Sequence, residues 1–183
     1  MLSNKFAIAS LSLGQHPSHS LEHKIQAAAQ AGYAGIEIVY SDLQAYSESH
    51  KLSILEGAEK IRSLCQSVNL EILSLAPFEN YEGDRSLLSD RLEKATHWIE
   101  VARLLRAPYL QIPSNYKPDA IGEKDVIISD LQHLAAIGDA RQPRVSIAFE
   151  FLSWGTHCST WDSALRYVNA VNRPNFGLCL DTF

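Results

Sequence analysis

Short apolar runs alternate with helix-period stretches along the whole 183-residue chain, and no two runs are joined by a two-residue turn. That pattern removes most folds. Antiparallel neighbours close through tight hairpins, whereas parallel neighbours need a crossover of about a dozen residues or more. The runs are Lys5–Ser10, Ala34–Tyr40, Leu70–Leu75, Tyr109–Ile112, Val145–Glu150 and Phe176–Asp181. The reading is six strands and five helices in strict alternation, which makes an α/β protein with a parallel sheet.

The helices follow from apolar spacing and end signals. Ser18 and Ser20 offer N-caps for the first, which carries Leu21, Ile25, Ala28 and Ala29 on one face and Gly32 just past its end. The second is one long helix over Leu52–Val68, with Leu55, Ala58, Ile61, Leu64, Cys65 and Val68 as its stripe. Asp84 is the expected cap of the third, whose stripe runs from Leu88 to Leu105. The fourth covers Val126–Ile137. Ser159, with Asp162 three residues on, opens the fifth, and Asn172-Arg-Pro174 ends it.

Doubly wound sheets and (β/α)8 barrels both fit this alternation. After the first strand stands S-L-S-L-G-Q-H, without the G-x-G-x-x-G of a dinucleotide fold, so the barrel leads. Eight units take about 250 residues, and at least roughly 200. The chain is therefore read as one domain over residues 1–183, a C-terminally truncated (β/α)8 TIM barrel of about six strands.

Two of the runs end on an acid. Glu150 and Asp181 lie 31 residues apart (181 − 150), the length of one strand-helix-strand unit. Neighbouring strands are expected to present them side by side. Two such carboxylates repel, and each is costly to bury unless protonated or paired with a cation. A divalent metal held by oxygen ligands resolves both problems, and an all-carboxylate pair favours Mg, Mn or Co over zinc.

Net charge is −5, and the 16 Lys and Arg are scattered, so a nucleic-acid groove is not expected. The three cysteines are widely spaced, without C-x-x-C, which fits a reducing, cytoplasmic setting. No apolar run approaches the ~20 residues of a membrane span. The N-terminus, M-L-S-N-K-F-A-I-A-S-L-S-L-G, imitates a signal peptide but reads better as a first core strand.

Several segments in order carry a family resemblance: G-Y-A-G-I-E-I (Gly32–Ile38), A-P-F-E-N-Y-E-G (Ala76–Gly83), L-Q-I-P-S-N-Y (Leu110–Tyr116), F-E-F-L-S-W-G-T-H (Phe149–His157) and R-P-N-F-G-L-C-L-D-T-F (Arg173–Phe183). The chain resembles the xylose-isomerase-like TIM barrels, a superfamily of sugar isomerases, epimerases and endonuclease IV, and within it the fungal 3-dehydroshikimate dehydratases of quinate catabolism. The resemblance implies a metal at the C-terminal mouth, ligated by Glu150, Asp181 and two groups from strands seven and eight. It also implies a small polyhydroxy-keto substrate dehydrated to protocatechuate. The family has a catalytic His directly after D-T-F, beyond Phe183, so this chain alone is expected to be inactive.

Other residues have a functional and a bland reading. Glu37 could bind a substrate hydroxyl or pair with a helix lysine. His157 could move a proton, bind a substrate carboxylate, or be a solvated loop residue. Trp154 is a candidate pocket wall, and Gln111 could reach into the mouth. Phe78 and Tyr81 could cover a ligand or pack in the core. His23, His97 and His133 read as helix residues, and Cys179 as a strand filler. The rival readings are a sugar isomerase or epimerase of the same superfamily, a DNA repair endonuclease, and an inactive or partner-dependent fragment. The endonuclease is the least favoured, for want of early His ligands and a basic face.

Overall fold

The computed structural model describes residues 5–16 and 18–181. Met1–Asn4, which entered the signal-peptide comparison, and Thr182–Phe183 of the last run lie outside the described residues. In chain order come β1 (Ala7–Ala9), a 3-10 turn (Ser10–Leu13), α1 (Leu21–Gln30), β2 (Gly35–Val39), α2 (Tyr40–Ser49), α3 (Ile54–Ser67) and β3 (Glu71–Ala76). Then follow α4 (Leu88–Leu105), β4 (Tyr109–Pro113), α5 (Lys124–Asp139), β5 (Ser146–Glu150), α6 (Trp161–Val171) and β6 (Phe176–Cys179). All six expected strands are present. The chain gathers into two compact units, one of Met1–Ala76 with Glu100–Pro108, the other of Pro77–Ile99 with Tyr109–Phe183.

In the first unit β1, β2 and β3 pair in parallel. Ile36 and Ile38 are fully buried on the face of β2 that α1 and α2 cover. Ser20 caps α1, its side chain accepting from His23 N, and Gly32 takes the left-handed conformation (φ 81°) just past the helix end. The five-helix expectation fails at α2. It starts directly on the last residue of β2 with no side-chain cap, and its buried face is only Leu43 and Ser47. So polar a stretch carries no apolar stripe to read. α2 packs so closely on α3 that a Cβ on Gly57 would stand 2.0 Å from Ser47 Oγ. The long second helix accordingly starts at Ile54, where Ser53 and Glu56 form a capping box, and Leu55 is exposed rather than part of the stripe.

In the second unit β4, β5 and β6 pair in parallel. Ile112, Ile147 and Phe149 are buried, and α5 and α6 lie against β5. Phe149 meets Tyr167 of α6 edge-on at 6.4 Å and Phe176 of β6 at 5.9 Å. Three expectations shift here. Asp84 does not cap α4, which begins four residues later; it accepts from Ser86 N and pairs with Lys117 at 2.6 Å. The cap of α6 is Thr160 with Ser163, one residue past the expected Ser159 and Asp162. β6 ends at Cys179, so Asp181 lies beyond the ladder.

Phe149→Ala should lower unfolding stability by about 3–5 kcal/mol, because it empties the centre of this cluster. The shift in urea midpoint measures it, and a loss below about 1 kcal/mol would remove Phe149 from the core.

Candidate functional site

Glu150 is the last residue of β5. The ladders set it opposite Pro113 of β4 and Cys179 of β6. Partners across a parallel ladder face the same way, as does every second residue along a strand. Gln111, Pro113, Glu150 and Cys179 therefore share one face, while Ile112 and Phe149 take the other. Gln111 is buried, and its Nε2 donates to Glu150 Oε2. Its Oε1 is also buried and has no hydrogen-bond partner among the described residues.

The ladder itself stops short of Asp181, because β6 ends at Cys179. Asp181 stands two residues past Cys179, Glu150's partner in register, and is exposed. Among the described residues no three His, Cys, Asp or Glu side chains gather into a group able to hold a metal ion. What is assembled is an edge of hard oxygen donors: the Glu150 carboxylate and the unpartnered amide oxygen of Gln111. That chemistry suits a Mg-like ion.

Glu37 belongs to the first unit, on the face of β2 opposite Ile36 and Ile38. Ser74 of β3 donates to Glu37 Oε2 at 2.6 Å. Their meeting depends on a bulge. The register steps from Ile36↔Ile72 to Glu37↔Ser74, passing over Leu73. A regular ladder would set a leucine opposite the acid; the bulge supplies a hydroxyl. The L-E-I-L-S-L run carries no signal for it.

The loops after β3, β4 and β5 in the second unit are tied together at Asn115. Its N–H donates to Glu82 Oε1 at 2.6 Å, and its Nδ2 to Glu82 O at 2.7 Å. Its Oδ1 accepts from Lys117 N at 2.9 Å, and its carbonyl from Thr156 N at 2.9 Å. Beside it Ser114 N donates to Glu150 O, and Ser114 Oγ accepts from Leu152 N at 3.0 Å. Gly83 closes the turn with φ 68° and donates to Asp130 Oδ2 at 2.9 Å. A Cβ there would stand 2.4 Å from Ile121 O.

This frame holds Trp154 and His157. Trp154 is 62% exposed. His157 Nε2 lies 2.9 Å from the Ala120 carbonyl, and the ring borders a cleft with Lys124, Arg166 and Tyr167 between α5 and α6. Phe78 and Tyr81 are core residues, their rings 5.3 Å apart and tilted by 36°.

Glu82 is a participant the sequence reading passed over inside E-N-Y-E-G. It is 4% exposed, and burial pushes its carboxyl up to about 8, with Asp130 adding to the effect and the Asn115 N–H opposing it. Only its place between two loop formers, followed by a glycine, could have drawn attention to it.

Known proteins of similar sequence and fold bear on this geometry. The family model for the xylose isomerase-like TIM barrel matches residues 25–183. A protein of Neurospora crassa named 3-dehydroshikimate dehydratase is 40% identical over 98% of the chain, which spans 55% of that relative's length. A solved xylose isomerase-like TIM barrel/4-hydroxyphenylpyruvate dioxygenase fusion protein superposes with TM-score 0.82 at 27% identity, over 96% of this chain and 26% of that one. The crystal structure of the IOLI protein with a binding zinc atom superposes at 0.78 with 22% identity, over 96% of this chain and 62% of that one.

Ser74→Ala should cost about 0.5–1.5 kcal/mol, since it strips a half-buried carboxylate oxygen of its donor. Chemical denaturation reads the loss, and none at all would mean that water replaces the hydroxyl freely. Glu82 makes stability pH-dependent. Below its ordinary value of 4.5 both folded and unfolded forms are neutral. From there to about 8 the unfolded chain ionises while the folded one keeps its proton, so stability falls as pH rises, and it levels off above. Glu82→Gln should flatten that slope and raise Tm at neutral pH; an unchanged slope would assign it to another group.

Proposed function

This chain belongs to the xylose isomerase-like TIM barrel family, and on that premise we propose that it is part of a divalent-metal-dependent carbon–oxygen lyase dehydrating 3-dehydroshikimate to protocatechuate. The reading includes a place in quinate and shikimate catabolism and in the cytoplasm. The observation that carries it is the identity to the Neurospora crassa dehydratase across nearly the whole chain. The Gln111–Glu150 edge at the C-terminal ends of β4 and β5 supports it, being where a parallel α/β barrel keeps its chemistry.

In this reading Glu150 and Asp181 are metal ligands, and Gln111 orients Glu150 through its amide. Mg, Mn or Co fits these oxygen donors; the zinc in the IOLI structure belongs to a more distant relative. A bound divalent ion supplies Lewis acidity at the substrate ketone. The reaction removes a proton beside that ketone and expels the β-hydroxyl with it as water, and aromatisation of the ring drives it forward. Glu37, held through one oxygen by Ser74, has its other oxygen for a substrate hydroxyl. Trp154 walls the pocket. His157 uses Nε2 on the Ala120 carbonyl and keeps Nδ1 for the substrate carboxylate or a proton. Further donors come from outside these residues, so the chain by itself turns over little or no substrate.

The test is protocatechuate formation from 3-dehydroshikimate with Mg, Mn or Co, for this chain and for a version extended to the length of the Neurospora crassa relative. Product from the extended form alone, abolished by Glu150→Ala, is the expected result. Product from the short chain would refute the need for further donors. No product from either, with metal bound, would move the reading to a sugar isomerase or epimerase, checked by turnover of a ketose.

A further inference from the structure

Glu82 is a carboxyl group in a place that rejects an anion. One oxygen, Oε1, accepts from Asn115 N, whereas Oε2 is buried and has no hydrogen-bond partner among the described residues. The groups that face it come from every neighbouring element of the unit. Asp130 of α5 is a second acid that repels negative charge on Glu82. Arg91 of α4 is committed to Asp130 at 2.6 Å, and Arg166 of α6, which acts on Cys158 and Tyr167, to Asp162 at 2.6 Å. Cys158 of the loop 151–160 and Tyr167 of α6 are both pushed up by burial, with the Glu82 charge raising them further. They therefore stay neutral and offer no positive charge.

The same carboxyl holds more than itself. Two of the four hydrogen bonds of Asn115 go to Glu82, one to its side chain and one to its backbone. A third, from Thr156 N, fastens the loop 151–160. Thr156 Oγ1 adds a bond to Lys117 O at 3.0 Å, two residues along. From the Glu82 carboxyl the path therefore runs through the N–H and carbonyl of one residue, Asn115, to the loop that bears Trp154 and His157.

We propose that Glu82 is a positioning residue whose neutral carboxyl, acting through Asn115, holds the loop of Trp154 and His157 in place, and that loss of its proton releases that loop. The link to catalysis rests on the dehydratase reading, in which this loop borders the substrate; the link to loop order does not. Burial sets the midpoint, since the carboxyl is pushed up to about 8. Above it an anion with one oxygen unpartnered stands beside Asp130, and desolvation outweighs the single N–H from Asn115. Opening to water relieves the charge and parts Glu82 Oε1 from Asn115 N, the one bond to Asn115 that the carboxyl itself makes.

Amide hydrogen exchange of the protein, corrected for intrinsic rates, tests this at about pH 6.5 and about pH 9. The released carboxyl ionises near its ordinary 4.5 and the enclosed one near 8, so between pH 6.5 and that midpoint each pH unit favours opening about tenfold, and by pH 9 Thr156 and Leu152 should have lost about thirtyfold in protection. Glu82→Gln keeps the neutral shape and should hold the same protection at both pH values. Equal protection of the unsubstituted loop at both pH values would overturn the proposal, and so would a Glu82→Gln protein that loosens as much. The first comparison needs no variant and no turnover, so it stands whether or not the dehydratase reading does. In the extended enzyme, Glu82→Gln should also remove an alkaline fall in kcat/KM near pH 8; a fall of unchanged position and depth would sever Glu82 from the reaction.

Discussion

A parallel strand covered by helices on one face has only its other face for a charged side chain. That constraint recurs in both units. Ile36 and Ile38 are buried on β2 and turn Glu37 the other way; Ile147 and Phe149 do the same for Glu150 on β5. Each acid then needs a donor, and each takes it from the neighbouring strand. Ser74 of β3 serves Glu37, and Gln111 of β4 serves Glu150. The strands thus carry half-buried acids, each held by a hydrogen bond from its neighbour.

The loops obey a different economy. They carry backbone groups that no ladder satisfies, and in the second unit Asn115 gathers them. One side chain and its peptide groups serve the loops after β3, β4 and β5 together. The arrangement also draws Glu82 into the interior, where water cannot reach its second oxygen. Rigid loops around Glu150 and a carboxyl that prefers its proton are therefore two results of one packing solution.

The strands were legible because their apolar runs are bounded by breakers, and all six fall where the runs do. Helices with an apolar stripe were legible for the same kind of reason. α2 was not, since Ser47 occupies the buried position where an apolar residue would have signalled it. Cap positions slipped where a neighbouring side chain could serve as well: Thr160 replaced Ser159, and Asp84 found Lys117 and Ser86 in place of a helix end. Glu150 stood out as an acid ending an apolar run, and Gln111 as the one polar residue in L-Q-I. Ser74 and Glu82 did not, because a serine in a strand and a glutamate in a loop look ordinary until their surroundings are known.

By itself the sequence determined the alternation of strand and helix, the parallel pairing and the strand end that carries Glu150. These follow from local periodicity and from connections too long for hairpins. The tertiary structure decided the partners. The bulge at Leu73 that brings Ser74 to Glu37, the end of β6 two residues short of Asp181, and the burial of Glu82 beneath Asn115 all depend on residues distant in the chain. Hydrogen bonds and desolvation act between groups that only folding brings within reach.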